Sequence, residues 1–218
     1  MPWRQVPAAV ARMGLDRRVR ATPGLRFAKL LGTAGGSTFT ARDADPRHWG
    51  LLATWESPEA ARDFEASRTA AAWGRIAEET LRVRMVPLAS HGRWAGVEPF
   101  GAPPPRRWDG RVAAVTRARL RARTMPTFWR ASPSVTRAVL DSPGLLLTTG
   151  IGEAPVGLQG TFSLWESAAT LSDFAYRDPR HVDAIRRTGE VGWYVEELFA
   201  RFGVLDVTGR FAGSTWEG

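Results

Sequence analysis

Few residues in this chain could carry out catalysis or bind a metal. Its 218 residues include three histidines and no cysteine, which excludes disulfides, iron–sulfur clusters, zinc fingers and cysteine nucleophiles. The histidines, His48, His91 and His181, lie far apart in the sequence, and no two have the spacing of a chelating pair on one helix or strand. A zinc or di-iron centre is therefore not expected, whereas a haem needs only one histidine ligand.

His181 is the strongest ligand candidate. On a predicted helix it shares one face with Ala184, Ile185 and Thr188, while the neighbouring charged residues project elsewhere. Two interpretations are open: a histidine packed into the core, and an axial ligand presented to a flat apolar cofactor. His48 stands before a predicted strand and His91 at the end of one, and both are weaker candidates.

Two other polar residues could take part in chemistry. Lys29 is the only lysine beside 29 arginines; on a strand it could be a desolvated amine or an anion partner, or a chance survivor of an arginine-rich composition. Gln159 opens a predicted strand, where it could face a cavity as a hydrogen-bond donor or be an ordinary strand-edge residue. The glycine-containing stretch 150–155 lacks both GxGxxG and a P-loop lysine, so phosphate binding is not predicted.

The composition is that of a globular protein with a core, since 44% of the residues are hydrophobic and 24% are charged. The net charge is +8, but the arginines alternate with acidic residues, and charge alone does not identify a partner. No apolar run reaches the roughly 18 residues of a membrane span, and no signal peptide opens the chain. These features predict a cytoplasmic protein, with contact at a membrane surface as a further option.

The elements that must position these residues occur twice. Residues 48–64 (HWGLLATWESPEAARDF) and 159–174 (QGTFSLWESAATLSDF) share an apolar strand ending in Trp-Glu-Ser and a helix closing on Asp-Phe. An offset of 110 pairs Trp55 with Trp165 and Phe64 with Phe174. The alternative registers place Ala71 or Asp63 opposite His181, so the histidine is found in the second copy alone.

Periodicity gives the order βαββαβ for the second copy, which is the ferredoxin-like unit. The predicted elements are strand 111–121, helix 126–141, strands 145–149 and 158–165 around a turn at 150–155, a helical stretch 167–200 broken near Asp178-Pro179, and strand 201–207. The first copy is predicted to have helix 3–20, strands 25–32 and 48–55, helix 57–81 and strand 82–89.

The predicted fold class is therefore α+β, with duplicated ferredoxin-like units forming a dimeric-type α+β barrel. The first unit lacks its opening strand, so we expect either an upstream start or a strand supplied from elsewhere. The predicted organisation is an incomplete first repeat at 1–96, a proline-rich linker at 97–109, a cofactor-binding second repeat at 110–213 and a tail at 214–218.

Taken together, these segments resemble the spheroidene monooxygenase family, which comprises carotenoid-pathway oxygenases and their relatives. The resemblance covers almost the whole chain and is densest over 127–211. It is carried by Phe27-x-Lys29-x-x-Gly32, Phe128-Trp129, Gly150-x-Gly152-Glu153-x-Pro155, Gln159-x-Thr161-Phe162-Ser163-x-Trp165, His181-x-x-Ala184-Ile185, Gly192-Trp193-x-x-Glu196-Glu197 and Ala200-Arg201-Phe202.

The resemblance implies a haem-dependent enzyme with a fold akin to chlorite dismutases and aldoxime dehydratases. It implies haem b held by His181 as axial ligand, with Ile185 and Trp193 as pocket walls. The catalytic residues stay unknown, and Gln159 and Lys29 are the candidates for that role. The implied reaction is oxygen insertion into an activated C–H bond of a small apolar, carotenoid-like substrate, using dioxygen and electrons from a ferredoxin or reductase.

Two alternatives stay open. The same barrel could use its haem to dehydrate or rearrange a substrate, as in aldoxime dehydratases and chlorite dismutases. A non-enzymatic binding module is the other alternative, because βαββαβ is also the layout of RNA-recognition domains. No strand carries the aromatic-rich RNP1 signature, so a nucleic-acid partner is not expected. The oligomeric state is left open.

Overall fold

A computed structural model describes residues 1–14, 17–35, 43–153 and 158–218, with backbone only for residues 13, 14, 17, 158 and 159. The chain forms two compact units. The first unit comprises Met1–Thr33, Asp45–Arg84 and Asp206–Gly218, and the second comprises Ala34–Ala44 and Met85–Leu205.

The first unit opens with helical segments. These are a 3-10 turn (Trp3–Gln5), helix α1 (Val6–Ala9), a π-helical turn (Val10–Gly14) and a second 3-10 turn (Arg17–Ala21). Strands β1 (Leu25–Ala34) and β2 (Ala44–Trp55), helices α2 (Pro58–Glu65) and α3 (Arg68–Gly74), and strand β3 (Leu81–Gly92) follow. Strands β1 and β2 are neighbours.

The helices of the first unit are shorter than predicted. The helix predicted at 3–20 is broken into the short segments above, and the one predicted at 57–81 ends at Gly74. Serine caps divide the latter: Ser57 accepts a hydrogen bond from Ala60 N–H, and Ser67 accepts one from Ala70 N–H. Each serine starts its own helix because its hydroxyl satisfies a first-turn donor that would otherwise lack a partner.

The second unit has the predicted βαββαβ order. Its elements are β4 (Val112–Leu120), α4 (Met125–Leu140), β5 (Leu145–Glu153), β6 (Leu158–Trp165), α5 (Ala168–Arg177), α6 (Pro179–Val191) and β7 (Tyr194–Phe211). Strand β4 is antiparallel to both β6 and β7, and β5 is antiparallel to β6. The order β5-β6-β4-β7 is ferredoxin-like and confirms the α+β class.

Three element boundaries in the second unit were predicted wrongly. The helical stretch stops at Val191 instead of reaching 200, because Gly192 adopts the left-handed conformation (φ 62°) that ends a helix. Strand β7 consequently begins at Tyr194 rather than at residue 201. The turn predicted from residue 150 begins later, since Gly150 to Glu153 belong to β5.

Helices α4 and α5 pack on one face of the second unit's sheet. The core there is built on Val112, Trp165 and Leu171, which are all nearly inaccessible, with Val139 and Phe174 packed against them. Because residues alternate along a strand, the neighbours of Trp165 at 161 and 163 point to this same helical side.

The units do not coincide with the predicted repeats. Strands β3 and β7 each continue from one unit into the other, and β8 (Ser214–Glu217) pairs with the end of β7. Residues 98–111 contain neither helix nor strand. The repeat boundaries at 96, 110 and 213 therefore stay predictions. None of the helices in the described ranges is long and apolar enough to cross a membrane.

Candidate functional site

His181 is the third residue of α6, and local sequence fixes its place. The carboxylate of Asp178 caps the helix by accepting the N–H groups of Arg180 at 2.8 Å and His181 at 3.3 Å. Pro179 occupies the first helical position, where its missing N–H has no helical acceptor to lose. The predicted break near Asp178-Pro179 is confirmed, and it sets the start of the helix that carries the histidine.

An aromatic series joins the sheet to His181. The ring of Trp165 stacks on that of Phe174 with centroids 5.3 Å apart, and Phe174 in turn lies 4.5 Å from the imidazole. Trp165 is completely buried, and its indole N–H donates to the Ser163 hydroxyl at 2.9 Å. The imidazole therefore lies on the helical side of the second unit's sheet, with its ring held by apolar surface.

One ring nitrogen of His181 is anchored by a backbone carbonyl. Nδ1 lies 2.8 Å from the carbonyl oxygen of Ala175. A carbonyl can only accept, so Nδ1 carries the proton and Nε2 carries the lone pair. Among the described residues, Nε2 has no hydrogen-bond partner.

Proline explains why that carbonyl is available. In a continuous helix the Ala175 carbonyl would accept from the N–H four residues later, but that residue is Pro179, which has none. Burial lowers the pKa of His181 below its ordinary value, against the opposing effects of the Ala175 carbonyl and of Asp178. The imidazole is thus neutral near pH 7, which is the form that ligates metals.

The two predicted pocket walls are placed very differently. Ile185, one turn after His181, is 51% exposed and offers free apolar surface. Trp193 is only 1% exposed: its indole N–H donates to Thr127, its ring meets Phe128 edge-on, and the Arg187 guanidinium lies 5.8 Å from its ring. The role of either residue as a pocket wall stays a prediction.

The other candidates are not gathered around His181. Lys29 lies on β1 in the first unit, 5.8 Å from the centroid of the Phe27 ring. Gln159 lies on β6 in the second unit, opposite Ala118 and Gly152 in the strand register. Its side chain is outside the described residues. Their catalytic roles therefore stay predictions.

His48 is not available as a metal ligand in this structure, because both ring nitrogens face carboxylates. Nδ1 lies 2.5 Å from Asp45 and Nε2 lies 2.6 Å from Glu79, and the ring packs edge-on against Phe211. Burial raises the pKa of Asp45 and of Glu79, but the hydrogen bond to His48, a backbone N–H donor and nearby positive charge together outweigh it, so the pKa of each lies below its usual value. His91 is exposed on β3.

The second unit also contains a buried ionic cluster that the sequence did not reveal. Arg117 is 4% exposed and ion-pairs with both Glu153 and Glu196, while Trp94 donates to Glu153 at 2.6 Å. Glu196 also accepts the N–H groups of Ala95 and Gly96. These residues come from four separate segments, so only the register of the strands could have shown that they meet.

No set of three or more histidine and carboxylate side chains within the described ranges is arranged to hold a metal ion. The histidine that the structure presents for ligation is thus a single neutral imidazole with one nitrogen anchored. That arrangement suits a cofactor that brings its own four equatorial ligands and needs one axial ligand from the protein.

Similarity to known proteins gives the family of the chain. The chain is 35% identical over 220 residues to spheroidene monooxygenase of Rhodobacter capsulatus, covering 98% of this chain and 88% of that protein. It is 35% identical over 193 residues to spheroidene monooxygenase of Rubrivivax gelatinosus, covering 88% of this chain and 73% of the relative. No family model matches the chain.

Among solved structures, aldoxime dehydratase OxdRE in complex with butyraldoxime aligns with a TM-score of 0.56. The alignment covers 94% of this chain and 77% of the dehydratase at 15% identity, which shows a shared fold. The fold and the sequence relatives define a ferredoxin-like α+β oxidoreductase of monooxygenase type. The chain belongs to the spheroidene monooxygenase family, and the predicted resemblance is confirmed.

Proposed function

We propose that this chain is a haem-dependent monooxygenase that inserts oxygen into an activated C–H bond of an apolar, carotenoid-like substrate. The relatives from Rhodobacter capsulatus and Rubrivivax gelatinosus are each named spheroidene monooxygenase. The single observation that carries the haem assignment is the environment of His181, with Nδ1 anchored and Nε2 left with its lone pair.

The donor chemistry of His181 fits a haem iron. Ligating histidines characteristically donate their second ring N–H to a carbonyl or carboxylate, which fixes the tautomer and the ring orientation. The Ala175 carbonyl does this here at 2.8 Å. The lowered pKa of His181 adds to the fit, because protonation of the imidazole would compete with ligation.

Apolar surface on the helical side of the sheet supports the same assignment. Phe199 pairs with Thr116 in the strand register, and alternation places both on the side that α4 and α5 cover. Yet Phe199 is 42% exposed, and Ile185 of α6 is 51% exposed. Both therefore leave apolar area free, as the surface of a ligand site does.

Bound haem would supply the dioxygen chemistry, which amino acid side chains do not provide. The chain's own part is to hold the iron through His181, to present apolar walls to the porphyrin and substrate, and to exclude water. Electrons from a ferredoxin or reductase complete the proposed reaction. An apolar substrate also makes contact with a membrane surface part of the proposal, helped by the net charge of +8.

The test is an absorption spectrum of haem-supplemented protein for wild type, His181→Ala and the control His91→Ala. We expect a Soret band of about one haem per chain in wild type and in His91→Ala, and its loss or displacement in His181→Ala. Wild type without a Soret band would overturn the proposal, and an unchanged spectrum in His181→Ala would remove His181 as ligand.

Turnover then separates oxygenation from the alternative haem chemistry. The monooxygenase proposal requires both dioxygen and a reductase. Turnover on ferrous haem without dioxygen would instead identify a dehydratase or rearrangement enzyme.

A further inference from the structure

Two threonine hydroxyls meet on the sheet of the second unit. Oγ1 of Thr116 on β4 lies 2.7 Å from Oγ1 of Thr161 on β6, and the two residues are direct partners in the strand register. Gly160 allows the strands to approach closely at this point, because a Cβ there would collide with the Thr116 carbonyl oxygen. The pair is therefore held by backbone packing and not only by its own hydrogen bond.

The pair lies on the same face of the sheet as the residues that lead to His181. Thr161 precedes Trp165 by four residues, about 13 Å along the strand, and so points to the same side. Trp165 contacts Phe174, which contacts His181. On the other flank, Thr116 is the register partner of Phe199, the half-exposed aromatic of the proposed pocket.

The hydrogen-bond inventory leaves one donor of the pair uncommitted. Each hydroxyl carries one proton, and a single hydrogen bond between the two uses only one of them. Neither hydroxyl has another partner among the described residues. The second proton is thus available to a ligand on the helical side, at a partly buried position where a donor without an acceptor is costly.

We infer that the Thr116–Thr161 pair is the hydrogen-bond donor to a small oxygen-containing ligand, dioxygen or its diatomic analogues, in the proposed haem pocket. This inference rests on the proposed function. The threonine that donates to the ligand accepts the proton of the other threonine, which orients it. The effect would be to hold the ligand in one orientation beside Phe199 and Ala118, whose side chains offer no hydrogen-bond donor.

Infrared spectroscopy of the carbon monoxide complex tests the inference without turnover. A hydrogen bond to the carbon monoxide oxygen lowers the C–O stretching frequency. We therefore expect the frequency to rise in Thr161→Val and in Thr116→Val. Thr161→Ser, which keeps a hydroxyl, should remain close to wild type.

Thr149→Val is the matched control. Thr149 lies on β5 and faces the opposite side of the sheet, where its hydroxyl donates to the carbonyls of Ala34 and Gly150. Its frequency should equal that of wild type. If valine prevents folding, Thr161→Ala removes the hydroxyl with a smaller side chain and carries the same expectation.

The outcomes separate the two proposals. Haem-loaded Thr161→Val and Thr116→Val with unchanged frequencies would overturn the inference while leaving the haem assignment intact. A wild type that binds no haem would instead overturn the proposed function. A shift in Thr149→Val equal to that in the pair would show a general effect of the sheet, and would also overturn the inference.

Discussion

The two units contain similar aromatic series that end in different residues. In the first unit the ring of Trp55 lies 5.2 Å from Phe64, which meets Trp73 edge-on at 5.7 Å. In the second unit the corresponding rings of Trp165 and Phe174 lead to His181. A strand tryptophan and a helix phenylalanine thus recur as packing in both units, and the residue placed on the phenylalanine is what differs between them.

The two series differ in the backbone that follows α2 in the first unit and α5 in the second. At the end of α2, the carbonyls of Arg62 and Phe64 accept hydrogen bonds from the N–H groups of Ala66 and Ser67. These carbonyls therefore have backbone partners. After α5, Pro179 cannot donate, and the Ala175 carbonyl accepts the imidazole of His181 instead. A proline therefore creates the acceptor that orients the histidine, whereas the described carbonyls at the end of α2 bond to backbone N–H groups.

The largest effect is expected from exchanging Trp73 and His181, the residues that end the two aromatic series. His181→Trp should abolish haem binding, because indole has no lone pair for iron. Trp73→His should not add a second haem per chain, because Trp73 is the sixth residue of α3, whereas His181 is the third residue of α6 and its ring is anchored by the Ala175 carbonyl. Haem titration followed at the Soret band, with circular dichroism to check folding, measures both.

Two haems per chain in Trp73→His would show that position on the phenylalanine ring is sufficient for ligation. Undiminished haem binding in His181→Trp would show that the second series is packing alone, as the first is.

The next effect concerns the anchoring carbonyl. Pro179→Ala introduces an N–H that can compete for the Ala175 carbonyl, and so loosens the imidazole without touching it. Changes to groups that orient a metal ligand typically cost at least about tenfold in affinity, so we expect haem to dissociate roughly tenfold faster. Transfer of haem to an excess of an apoglobin measures the rate.

Pro58→Ala is the matched control, because Pro58 also occupies the first position of a helix but precedes no histidine. Its haem dissociation should equal that of wild type. Equal rates in all three proteins would mean that the carbonyl contributes packing and not orientation.

Sequence reasoning succeeded where a local signal determined the structure. The offset of 110 identified Trp55, Phe64 and their counterparts, and the Asp178-Pro179 pair marked the helix break. It failed where contacts between residues distant in the sequence determine the structure. The segment 194–200 contains good helix formers, yet pairing of β7 with β4 makes it a strand, because tertiary context overrides propensity.

The candidate site was predictable in its residue but not in its surroundings. The two repeat offsets placed Ala71 or Asp63 opposite His181. In the structure the residue that contacts Phe64 is instead Trp73 of α3. The Thr116–Thr161 pair depends on the register of two strands 45 residues apart. Neither contact leaves a periodicity or a motif in the sequence.

The smallest expected effect is a pH dependence that the second series has and the first lacks. The folded-state pKa of His181 lies below its ordinary value of about 6.5, so below that pH the unfolded chain binds more protons than the folded one. The free energy of unfolding of the haem-free protein should therefore rise with pH up to about 6.5 and level off above it. The charged groups beside the ring, Asp178 and its partner Arg180, keep their charges throughout this range because the pKa of Asp178 is lowered and that of Arg180 is raised.

Urea unfolding of wild type and His181→Gln between pH 5 and pH 8 measures this contribution, with His91→Gln as the exposed control. His181→Gln should lose part of the slope below about pH 6.5, and His91→Gln should retain it. The lowered pKa values of Asp45 and Glu79 in the first unit act in a separate window, because stability from these carboxylates is lost only as the pH falls through the acidic range below about 4.5. A slope that is identical in wild type and His181→Gln would show that the imidazole is not desolvated in solution, which would also weaken its assignment as a buried neutral ligand.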